Sequence, residues 1–133
     1  MLSLLIACIL FAGPASAQDK TAPIVLERLD GTRCESTKAM LDLVAQRAGQ
    51  EDFIIIIARL GTKETSRKLN RERMQLLADY LGDTRGVPKQ RIVLAEGERV
   101  RGLGRVEIYL DGRLFTVFTI NRNKDLGRGC ESA

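Results

Sequence analysis

At 133 residues, with Lys and Arg outnumbering Asp and Glu by 21 to 17, the chain has the length of one domain and a formal net charge of +4. It contains no His and no Trp, which excludes His-based triads and His-containing metal sites. The modest basic excess points to anionic glycans, lipid headgroups or acidic proteins as partners before nucleic acid, beside the plainer alternative of a soluble surface of mixed charge.

Met1 to Ala17 carries no charged side chain, runs apolar from Leu2 through Ala12, breaks at Gly13-Pro14 and closes on Ala15-Ser16-Ala17. That order is an apolar core, a helix breaker and an A-x-A cleavage site, the pattern of an export signal. An apolar run of about 11 residues is too short for a membrane span, which needs roughly 20, so no transmembrane span is expected in the mature chain. No Lys or Arg precedes the run, which allows a true start upstream. Leu5-Ile6-Ala7-Cys8 resembles a lipoprotein cleavage box, although few residues precede Cys8. Cleavage after Ala17 leaves 116 residues (133 minus 17) in the periplasm, the wider cell envelope or the medium. A polar lead, 18–23, would then precede the domain, 24–121, and a tail, 122–133.

Of the three cysteines, Cys8 falls in the signal and leaves Cys34 and Cys130, which an oxidising compartment favours pairing. Closing so long a loop stabilises a fold by about 4–5 kcal/mol in the chain-entropy treatment. The bridge would tie the tail at Gly127-Arg128-Gly129-Cys130 to the start of the first helix.

The β-branched stretch Ile24 to Leu29 predicts a strand, ended by the turn pair Asp30-Gly31. From Ser36 to Ala48, apolar Met40, Leu41, Val44 and Ala48 recur at helical spacing, with Ser36 or Thr37 as N-cap and Gly49 as stop. Phe53 to Ala58 is a continuous β-branched run, the expected central strand, covered on both faces. Gly61 to Ser66 forms a loop and cap for a second helix, Ser66 to Leu81, whose apolar face is Leu69, Leu76, Leu77 and Tyr80. Arg91 to Ala95 predicts a third strand, 96–104 a loop, and Val106 to Leu110 and Leu114 to Ile120 a hairpin around Asp111-Gly112. The order β-α-β-α-β-β-β, with two helical crossovers pairing strands, predicts an α+β two-layer sandwich with helices on one face of a mixed sheet.

The middle of the chain resembles the OmpA-like domain, a periplasmic module. The likeness is carried by Leu69-Asn70-Arg71-Glu72-Arg73, Tyr80-Leu81, Gly86-Val87-Pro88 leading to Arg91-Ile92, and Gly104-Arg105-Val106-Glu107-Ile108, over residues 24 to 110. The resemblance implies a β-α-β-α-β-β core to which the last hairpin adds an extra C-terminal strand. It also implies binding of peptidoglycan, through an Asp at the end of the second strand and an Arg in the following helix. Those two hold the carboxylate and ammonium groups of diaminopimelate. Arg73 matches the Arg, but no carboxylate lies between Phe53 and Lys63, so the acidic half of the site is missing.

From the residues alone, Arg73 stands within about 60° of Leu69, Leu76 and Tyr80 on the apolar side of its helix. A guanidinium there needs a partner: a ligand's carboxylate, an internal one such as Glu107 or Glu64, or water reached by snorkelling. Arg59, Lys63, Arg67, Lys68 and Arg71 surround it in sequence, with Lys63, Arg67 and Arg71 at i, i+4, i+8. That stripe is either a solvated face or a patch for an anion.

Gly102-Leu103-Gly104 has the wrong context for a dinucleotide, and no cofactor or metal is expected. Glu96, Glu98 and Glu107 show no setting that marks a two-carboxylate hydrolase, which stands as a distant third reading. The expected function is a non-enzymatic envelope module that binds peptidoglycan or another anionic envelope polymer through Arg73, Arg59, Lys63 and Arg67. The alternative is a protein-interaction domain that keeps only the scaffold.

Overall fold

The computed structural model describes residues 23–28 and 34–124. The signal segment, the turn at Asp30-Gly31 and Cys130 with its pairing to Cys34 lie outside the described residues. Five strands and two helices form two layers: β1 (Ile24–Arg28), α1 (Cys34–Arg47), β2 (Ile54–Arg59), α2 (Arg67–Asp79), β3 (Ile92–Glu96), β4 (Gly104–Leu110) and β5 (Arg113–Ile120). A π-helical turn, Tyr80–Thr84, extends α2, and a 3-10 turn, Lys89–Arg91, leads into β3.

The sheet order is β1-β5-β4-β2-β3. β3 lies parallel to β2, β4 antiparallel to both β2 and β5, and β1 parallel to β5. Two expectations are corrected here. β2 is second from one edge and β4 is the central strand. The first crossover does not set β1 beside β2, because β5 and β4 lie between them. The reason is the hairpin. Asp111 (φ 50°) and Gly112 (φ 71°) both take positive φ, the requirement of a two-residue I′ turn, which holds β5 directly against β4. The outer edge of β5 then accepts β1, and the Thr116 hydroxyl donates to the Ile24 carbonyl at 2.7 Å.

Strand alternation sorts the side chains. Ile54, Ile56, Ala58, Val106, Ile108, Phe118 and Ile120 face the helices and are at most 1 % exposed. They pack against Met40, Leu41 and Val44 of α1 and Met74 and Leu77 of α2. β2 is therefore sealed on one face and only half-buried on the other, not covered on both.

α1 begins at Cys34, so Ser36 and Thr37 stand inside its first turn, and Thr37 is buried. α2 buries Asn70, Arg73, Met74 and Leu77, while Leu69, Leu76 and Tyr80 are half-buried. Its inward face is thus rotated toward Arg73 relative to the predicted one, and the π-helical turn carries the same face on to buried Leu81. Among the described residues, no helix is long and apolar enough to cross a membrane.

Candidate functional site

All the segments that carry the predicted site meet at one end of the sheet. β2 runs out through Ala58 and Arg59, β3 ends beside it with Glu96 in register with Ala58, and β4 begins there with Arg105 opposite Arg59. Backbone bonds lace the loops of this end together: Gly97 N–H to Ala58 O (2.9 Å), Val100 N–H to Leu60 O (2.9 Å) and Thr62 N–H to Gly102 O (2.8 Å).

Within it, Arg73 is 0 % and Glu64 1 % exposed, and the two face each other as a fork. Arg73 Nη1 donates to Glu64 Oε2 at 3.0 Å and Nη2 to Oε1 at 2.7 Å. Arg73 Nε donates to the Lys124 carbonyl at 2.9 Å. The same carboxylate accepts the Gly61 N–H (2.8 Å) and the Asn123 N–H (2.8 Å). Burial alone pushes the Glu64 carboxyl up. The bonds from Arg73, Gly61 and Asn123 and the charge of Arg73 outweigh that and hold it below the ordinary range.

Space for this fork comes from Gly104. A Cβ there would stand 2.4 Å from Glu64 Oε2 and 2.6 Å from Arg73 Nη1. Glu64 supplies the acidic partner that the sequence lacks between Phe53 and Lys63. It comes from the loop beyond the strand and closes the space around Arg73 from inside the chain.

The other predicted residues lie around this buried pair but do not converge on it. Arg59 Nε donates to Glu107 Oε1 at 3.1 Å, and Arg105 Nε lies 2.7 Å from the same oxygen. Glu107 is itself 3 % exposed and accepts the Tyr109 hydroxyl at 3.0 Å. Arg67 pairs with Glu96 at 2.7 Å and Lys68 with Glu72 at 3.4 Å. Lys63 is exposed on a turn with φ 70°.

Arg99, Arg101, Arg105, Arg122 and Lys124 join this end and were not singled out by sequence. The only sequence signal for Arg99, Arg101 and Arg105 was an arginine at nearly alternate positions of a Gly-rich stretch, and Arg122 and Lys124 had none beyond their place in the polar tail. Arg99 Nη1 donates to the carbonyls of Gly61 and Glu64, binding the two loops together. Lys63, Arg71, Arg99, Arg101, Arg122 and Lys124 make no ion pair among the described residues.

A second polar group lies elsewhere, between α1 and the π-helical turn. Tyr80 Oη and Arg85 Nε both donate to Asp42 Oδ1, at 2.7 and 2.6 Å. The Tyr80 bond first, against burial, and then Arg85 hold the Asp42 carboxyl low. Asp42 and Arg85 border an open hollow of about 640 Å³ with Ala39, Leu43, Ala45 and Gln46. Apart from the Asp42 carboxylate, which is held by Tyr80 and Arg85, its lining has no Ser, Thr, Cys or Lys.

Comparison with known proteins finds no matching family model, no matching curated protein and no matching solved structure.

Proposed function

We propose that the chain is a non-enzymatic, exported module of the bacterial cell envelope, of OmpA-like ancestry, that holds an anionic envelope polymer such as peptidoglycan against its cationic end. One observation carries this reading. Residues 59–73, 96–107 and 121–124 hold eleven Lys and Arg against five Glu, an excess of six, whereas the whole chain has a net charge of +4. The rest of the chain is therefore negative by two. Three segments distant in sequence bring their charge to one end, and six of those cations make no ion pair among the described residues. A concentrated field of one sign attracts and retains polyanions without a shaped pocket.

The polymer is met by Lys63, Arg71, Arg99, Arg101, Arg122 and Lys124, with Arg59 and Arg67 at the rim. Arg73 serves the fold. Retention on isolated sacculi tests this: binding at low ionic strength, loss on adding salt as exposed charges are screened, and loss in the triple variant Lys63→Glu, Arg101→Glu, Arg122→Glu with unchanged melting. Retention that survives both salt and charge reversal sinks it.

The closure of Arg73 by Glu64 favours a second reading, a protein-interaction domain that keeps the scaffold and has given up the ligand site. Sacculi would then not retain the chain at any salt concentration.

A further inference from the structure

β5 ends at Ile120, and the next residues form a turn in which Asn123 takes φ 56°. Asparagine tolerates that left-handed backbone at the third position of a turn. Lys124 N–H closes the turn on Asn121 O at 3.0 Å. Arg122, Asn123 and Lys124 are exposed, yet their backbone is bonded to Arg73 and Glu64, the two most deeply buried charged side chains among the described residues. Asn123 N–H donates to Glu64 Oε1 at 2.8 Å, and Lys124 O accepts from Arg73 Nε at 2.9 Å. Among the described residues, no other hydrogen bond ties 122–124 to a part of the chain outside the turn. Both Nη atoms of Arg73 face Glu64, which leaves Nε as the outward donor and Glu64 Oε1 as the outward acceptor. One donor beside one acceptor suits a peptide main chain, and the charges of the fork cancel, so the fork offers a polymer no net charge of its own.

We infer that Arg73 and Glu64 are positioning residues for the cationic end: they clamp the turn 121–124 by its backbone and so fix Arg122 and Lys124, which flank Asn123, where a polymer meets them. The inference rests on the reading of that end as a polymer site. Of the six cations without an ion pair among the described residues, these two depend most on the clamp. Arg71 is carried by α2, and Arg99 is bonded to the carbonyls of Gly61 and Glu64. Arg122 and Lys124 follow the last strand and have the fork alone to hold their backbone in place. Cations already fixed lose little conformational freedom when the polymer arrives, whereas cations on a loose segment must be ordered at that moment and bind more weakly. The clamp also gives the buried pair a use beyond stability, for which a sealed ion pair is a poor device.

Two substitutions at one exposed position separate the clamp from the charge. Asn123→Pro removes the N–H that Glu64 receives and cannot take φ 56°. Asn123→Gly keeps the N–H and takes that φ freely. Neither alters a charge. On isolated sacculi at low ionic strength, the host-processed Asn123→Gly chain should be retained as wild type. Asn123→Pro should bind about three- to tenfold more weakly, with a shallower salt dependence because fewer fixed charges meet the polymer. Tryptic cleavage after Lys124, measured against cleavage after Lys63 in the same molecules, should rise in Asn123→Pro and not in Asn123→Gly. Arg73→Lys keeps the charge but loses the Nε donor, and its loss of retention should not add to that of Asn123→Pro, since both act through one turn. Asn123→Pro retained as wild type, with faster cleavage after Lys124, overturns the inference and leaves the polymer site standing. Unchanged cleavage after Lys124 overturns the clamp itself. A wild-type chain that sacculi do not retain at any salt concentration removes the polymer site, and the inference goes with it.

Discussion

Glu64 and Arg73 set the stakes at the scale of single residues. Removing one member of a buried pair strands the other charge, at a cost of about 3–5 kcal/mol, far above the value of an exposed pair. Glu64→Ala should therefore lower the urea midpoint by that equivalent with an unchanged slope. Replacing both members by apolar residues should recover only part of the loss. Gly61 N–H and Asn123 N–H also depend on the carboxylate and would stay unsatisfied.

Gly104→Ala attacks the same fork by crowding and should cost about 1–3 kcal/mol in chemical denaturation. Acid supplies a third probe. The folded Glu64 carboxyl lies below its ordinary value, so its contribution is complete above about pH 4.3 and drains away as the pH falls through the folded value. Wild-type stability should drop across that acid window, and Glu64→Gln, already weakened, should drop less. Asp42 shares the direction, but at 40 % exposure it adds little.

At the scale of elements, the turn at Asp111-Gly112 decides the topology. It holds β5 against β4, and β5 in turn receives β1. Gly112→Ala forces a Cβ into φ 71° and should cost about 1–2 kcal/mol, read as a lower melting temperature. Most of the strands and both helices were legible within one to three residues, because their periodicities are local. The inward face of α2 was not. Leu69 and Leu76 were the natural choice for burial on hydrophobicity alone, yet Arg73 is the more deeply buried side chain. Its partner arrives from a loop nine positions earlier in the sequence, and the other donors of the fork come from Gly61 and Asn123. No single-helix pattern contains that information. Leu81, the last residue of the predicted helix, was left off its apolar face for a related reason, since a π-helical turn resets the 3.6-residue spacing.

At the scale of the whole molecule, charge and apolarity are sorted by place. One end of the sheet concentrates cations, while the face turned from the helices sets Ile55, Ile57 and Val93 beside Arg59, Arg105 and Glu107. Charge reversal at the cationic end, Arg101→Glu, should lower sacculus retention, whereas the same reversal at the other end, Arg113→Glu, should leave it close to wild type. Equal losses from the two reversals would show that net charge, and not its placement, governs retention.

Sequence by itself determined the element order, the two helices on one side of a mixed sheet, the hairpin at Asp111-Gly112 and the anomaly of Arg73, since each is written in local spacing and residue type. Only the tertiary structure decided that β4 is central, that Glu64 answers Arg73, and that Arg99, Arg101, Arg122 and Lys124 join Lys63 and Arg71 at one end. Those outcomes depend on which distant segments meet, and the meeting is set by strand pairing and by the demand of a buried charge for a partner.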